Sequence, residues 1–175
     1  MVQIIKKIIQ YLGTAIILFI LQIGIKYLFF YPFSQINIAL VFFIWKIIHK
    51  NDHGYYWVLL IYYILSDIFS TLAFGLPAVS AFISIAISKN LFRYFVTTFS
   101  WYSIILLGCS VFFIYRFIIY ITAIILPQYI SSTGLKLSIQ NIYYSIFEIF
   151  INCAVLFLIY NIISIFKPKK KYYSV

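Results

Sequence analysis

Charge is scarce in this chain and negative charge is nearly missing: 9% of the 175 residues are charged and only three are Asp or Glu. With 65% hydrophobic and 22% aromatic side chains, so little charge cannot cover a water-exposed surface. A soluble globular domain is excluded, and the composition marks an integral membrane protein. Cysteine is limited to Cys109 and Cys153, both inside apolar runs and without metal-ligand spacing, which predicts two small core side chains rather than a disulfide framework. No hydrolase elbow, phosphate-binding loop or His-rich constellation is present, so the sequence predicts a non-enzyme that needs no cofactor. His49, Asp52 and His53 invite a metal reading, but Asn51 and Gly54 beside them favour a turn, and no further ligand lies near. No metal is expected.

What the chain does have is length for about six apolar helices of roughly 20 residues each, in one transmembrane domain. The expected spans are 8–31, 34–48, 55–74, 76–88, 99–126 and 139–166, separated by turn chemistry such as Tyr31-Pro32-Phe33-Ser34, Phe74-Gly75-Leu76-Pro77 and Ser88-Lys89-Asn90. The second and fourth are short, about 22 Å or less at 1.5 Å per residue. Lys6 and Lys7 precede an apolar run too long for a signal-peptide core, so the first span is expected to be retained. The net charge of +10 reflects topology rather than nucleic-acid binding, because ten of the thirteen basic residues fall on one side of a six-helix arrangement. That asymmetry predicts both termini in the cytoplasm. Trp45, Trp57 and Trp101 fall at the same side, where an aromatic belt belongs. The cluster Lys167-Pro168-Lys169-Lys170-Lys171 reads as an anchor on anionic membrane lipid.

Four ionisable residues remain inside the spans: Lys26, Asp67, Arg116 and Glu148, whose charges sum to zero. Helical rise puts them at about 8, 10, 15 and 14 Å from the outer helix ends, all in one half of the bilayer. An unpaired charge in hydrocarbon is costly. The matched depths predict an Arg116–Glu148 pair and an Asp67 pair with Lys26 or Arg116. Asn141, Ser145, Glu148 and Asn152 recur at helical spacing and form one polar stripe on the last helix; Tyr63, Asp67, Ser70 and Thr71 do so on the third, and Gln22 and Lys26 on the first. Ser80, Ser84 and Ser88 are a small-residue stripe suited to close helix packing. A proton or cation relay through Asp67 and Glu148 is the functional counterpart of pairing, and a small proton-coupled carrier would lose transport in Asp67→Asn.

The segments Leu65-Ser66-Asp67-Ile68-Phe69-Ser70 and Phe74-Gly75-Leu76-Pro77-Ala78, then Ser100-Trp101-Tyr102-Ser103, Leu106-Leu107-Gly108 and Tyr160-Asn161, resemble the rod shape-determining protein MreD family. The resemblance covers most of the chain from about Asn37 onward, with Asp67, Ser70, Phe74, Gly75 and Asn161 at family-typical positions. It implies a multi-pass scaffold of the bacterial cytoplasmic membrane, working in cell elongation and peptidoglycan synthesis. The implied partners are an MreC-like protein, the glycosyltransferase RodA, a penicillin-binding transpeptidase and, indirectly, MreB. The family is similar in fold to the substrate-binding subunits of energy-coupling-factor vitamin transporters, which makes small-ligand uptake the alternative expectation.

Overall fold

The computed structural model describes residues 2–31, 33–49, 54–69, 74–95, 101–125 and 139–166. Within them the chain forms six α-helices and no strand: α1 (Val2–Leu28), α2 (Ile38–His49), α3 (Tyr55–Ile68), α4 (Leu76–Phe95), α5 (Trp101–Ile125) and α6 (Ile139–Phe166), with a 3-10 turn at Phe33–Gln35 ahead of α2. Three stretches, Lys6–Leu28, Trp101–Thr122 and Ile142–Ile165, are long and apolar enough to cross a membrane. This is a multi-pass helical membrane protein.

The outer helices show why. Ile9, Ile17 and Ile20 of α1 and Phe150, Leu158 and Ile165 of α6 are more than half exposed. In water such apolar faces would drive aggregation; against lipid tails they are at home. The buried core instead gathers around α2, where Ala39, Leu40, Val41, Phe43 and Ile44 are all nearly inaccessible. α2 packs against α1, α3, α5 and α6. A helix with apolar residues on every side belongs inside a bundle, so its 12 residues, about 18 Å long, need not reach across the bilayer alone.

Two boundaries depart from expectation. The second helix starts at Ile38, not Ser34, because the Asn37 Oδ1 accepts the Leu40 N–H at 3.2 Å and caps it, while the preceding residues close a 3-10 turn. The fourth helix is not a short span ending at Ser88. It runs through Lys89 and Asn90 to Phe95, 20 residues in all, since nothing in Ser88-Lys89-Asn90 forbids helical backbone. The short partner of α2 is therefore α3, 14 residues ending at Ile68 rather than Phe74.

The serine stripe of α4 packs as expected. Ser80, Ser84 and Ser88 are fully buried, and α4 makes its main contact with α5. Ser84 donates its hydroxyl to the Ala81 carbonyl at 2.8 Å, so its polar group is satisfied within its own helix. Lys50, Asn51, Asp52, His53, Ser70, Thr71, Thr97, Lys136 and the Lys167–Lys171 cluster lie outside the described residues, as do the side chains of His49, Arg93 and Asn141.

Candidate functional site: a charged cavity

The site is assembled where the α1 C-terminus, the α1–α2 connection, the α3 C-terminus and the middle parts of α5 and α6 come together. Gln22 sets its floor. Its side-chain amide donates to the Ile36 carbonyl at 2.8 Å, and its carbonyl oxygen accepts the Ile38 N–H at 2.9 Å, so one residue of α1 satisfies both kinds of exposed backbone group in the connection. Asn152 of α6 holds the same connection from the other side. Its Oδ1 accepts the Asn37 N–H at 2.8 Å, and its Nδ2 donates to the Glu148 carbonyl at 2.8 Å and the Gln35 carbonyl at 3.3 Å. Asn37 reaches across to the Tyr63 hydroxyl at 3.4 Å. Non-helical backbone at membrane depth needs such partners, and these side chains supply them.

Over this base lies a cavity of about 550 Å³. Lys26 from α1, Tyr62, Tyr63 and Asp67 from α3, Tyr115 and Arg116 from α5 and Glu148 from α6 all line it. The structure therefore brings together the four intramembrane charges on one wall system, with Asn152 one turn beyond Glu148 on α6. Arg116 and Glu148 form an ion pair through Nη2 and Oε2, joining α5 to α6. The Tyr120 and Ser145 hydroxyls add a second polar link between these helices at 2.6 Å. Three of the four polar positions of the α6 stripe, Ser145, Glu148 and Asn152, are thus buried against protein.

Asp67 departs from expectation. It pairs with neither Lys26 nor Arg116; the Arg116–Glu148 bridge is the one ion pair among the described residues. Instead Asp67 Oδ2 accepts the Gly75 N–H at 2.7 Å. Gly75 sits at φ +84°, a left-handed conformation that an L side chain resists, and its carbonyl accepts the Val79 N–H at 2.9 Å as α4 begins. The Asp67 carboxylate therefore ties the end of α3 to the start of α4 across this corner. Its other oxygen, Oδ1, is buried with no partner, and so is Arg116 Nε.

The remaining family-typical positions scatter. Phe74 is 74% exposed, and Asn161 lies 13 residues beyond Glu148 on α6, about 20 Å along the helix, where its carbonyl accepts the Ser164 hydroxyl. Neither lines the cavity. Asn37 and the second half of the Gln22 role escape a reading of charges alone; the signal for Asn37 was an Asn directly before the apolar run Ile38-Ala39-Leu40-Val41, an N-cap position. Cys109 and Cys153, read separately as core residues, in fact face each other across α5 and α6 with their sulfurs 3.2 Å apart. No group of described residues has the makings of a metal site.

No family model, curated protein or solved structure matches this chain.

Proposed function

We propose that this protein is a non-catalytic membrane scaffold of the MreD type, acting in the elongation machinery of a bacterial cytoplasmic membrane with both termini on the cytoplasmic side. One observation carries the reading. Within the resembling segments, the chemistry of Asp67 goes into architecture: its carboxylate accepts the Gly75 N–H and fixes the α3–α4 corner. A motif whose acid serves as a backbone acceptor fits a family that organises partners rather than one that transforms substrates. The broad apolar faces of α1 and α6 support it further, as surfaces on which partner helices pack by shape and dispersion. An MreC-like protein, RodA and a penicillin-binding transpeptidase are the partners this reading names, with MreB reached through them.

Depletion of the protein in its host tests the reading. Cells are expected to lose width control and round up while cell-wall synthesis at division continues; unchanged shape and elongation rate would contradict a scaffold of elongation.

The cavity favours a second reading, a substrate-binding subunit similar to those of energy-coupling-factor vitamin transporters, since a volume of about 550 Å³ is in the range that holds small organic ligands. Under that reading the purified protein retains a vitamin stoichiometrically and recovers no MreC-like partner.

A further inference from the structure

The four ionisable side chains around the cavity are not equally open to it. The two acids are withdrawn into the protein. Glu148 is 4% exposed and paired with Arg116, while Asp67 is 6% exposed, its Oδ2 on the Gly75 N–H and its Oδ1 without accessible surface. The two cations are the reachable groups. Lys26 is an exposed residue in the last turn of α1 with no ion pair among the described residues. Arg116 keeps 24% of its side chain accessible beside its pair, although its Nε is sealed. The four charges sum to zero, but the surface that a ligand meets is positive.

The neutral lining suits a hydrated anion. The cavity is half open, and Tyr27, Ser34 and Gln35 line it with side chains that hold no partner among the described residues, so two hydroxyls and an amide can donate. A cleft whose accessible charge has one sign concentrates ions of the other, and the open side leaves such an ion part of its water. The kind of anion follows from the cations. A carboxylate is recognised best by a free guanidinium fork, and here Nε is sealed and Nη2 is taken by Glu148. An ammonium, a point charge beside hydroxyls, suits phosphate.

We propose that the cavity is a binding site for a small phosphate-bearing anion, anchored by Lys26, with Arg116 adding positive charge beside it and Tyr27, Ser34 and Gln35 donating to its other oxygens. Glycerophosphate has this chemistry, as the headgroup of an anionic lipid or as a free molecule. The site rests on neither the scaffold nor the vitamin-uptake reading, and its test involves neither an MreC-like partner nor a vitamin.

The full-length protein in detergent is titrated by calorimetry with sn-glycerol 3-phosphate and, as the uncharged reference, glycerol. In parallel it is offered phosphatidylglycerol, or phosphatidylcholine whose choline cancels the charge, and retained lipid is counted by native mass spectrometry. Acetic anhydride labelling of lysines locates the ligand. Labelling of Lys26 is expected to slow in proportion to the bound fraction, while Lys6 and Lys7, at the other end of α1, keep their rates with sn-glycerol 3-phosphate. Lys26→Gln is expected to weaken binding about tenfold, the effect of losing one charge-assisted hydrogen bond, and Lys26→Arg to retain it. Both leave the melting temperature unchanged, since the side chain is exposed. Heat from sn-glycerol 3-phosphate that Lys26→Gln removes assigns the site to a free anion. A preference for phosphatidylglycerol that Lys26→Gln removes, without heat from the free molecule, assigns it to a headgroup. Both outcomes support the site. Absence of any preference for the anion in both arms, a preference that survives in Lys26→Gln, or Lys26 labelling that the bound anion leaves unchanged would overturn the proposal.

Discussion

At the scale of single residues, the structure separates groups that look alike in the sequence. Asp67 and Glu148 are both acids inside apolar helices, yet Glu148 neutralises a cation on a neighbouring helix and Asp67 braces a backbone corner. Removing Glu148 alone strands Arg116 inside the bundle, so Glu148→Ala is expected to cost about 3–5 kcal/mol, and adding Arg116→Ala to recover part of it. Unfolding in mixed micelles measures both; equal loss in the single and double variants would mean the pair contributes no coupling. Gly75 carries the corner, and Gly75→Ala is expected to cost about 1–2 kcal/mol because alanine resists the left-handed conformation. A melting temperature unchanged by that substitution would contradict the positive φ. Depth along the helices was enough to match Arg116 with Glu148, since two charges at one level on adjacent helices have few other ways to be satisfied. It was not enough for Asp67, because the competing partner is a backbone N–H eight residues later, released by a glycine turn whose geometry charge counting does not see.

At the scale of elements, close approach decides the packing of α5 on α6. A Cβ on Gly108 would stand 2.6 Å from Leu156 Cδ1 and 3.6 Å from Cys153 Sγ, so the fully buried Leu156 side chain would have to shift to admit it. Gly108→Ala is therefore expected to destabilise the protein by about 1–3 kcal/mol. The same seam makes a chemical prediction. Diamide should oxidise Cys109 and Cys153 to an intramolecular disulfide, removing both thiols from alkylation, as their 3.2 Å separation allows. Independent alkylation of both after diamide treatment would show that α5 and α6 do not meet along this face. The helices themselves were legible from apolar runs and turn residues, and their limits less so. Ser88, Lys89 and Asn90 look like a break because they are polar, but helical backbone tolerates all three, and the chain continues to Phe95. α2 looks too short for a membrane because length was judged against the bilayer; it is short because it is enclosed by other helices.

At the scale of the whole molecule, composition alone fixed the solvent: a chain with 9% charged residues and exposed Ile and Phe along α1 and α6 has lipid as its environment. The cavity was foreshadowed only as a set of charges at one depth; part of its wall is the α1–α2 connection, which Gln22 ties to α1 and Asn152 to α6 through hydrogen bonds that no spacing reveals. The scaffold role concerns partners, so partners test it best. The tagged full-length protein, expressed at its native level and extracted gently from host membranes, is expected to bring an MreC-like protein with it in near-stoichiometric amount, with RodA and a penicillin-binding transpeptidase following in cross-linked samples. Recovery of the protein free of any MreC-like partner, with a bound vitamin in its place, would contradict the scaffold and make it a ligand-uptake subunit.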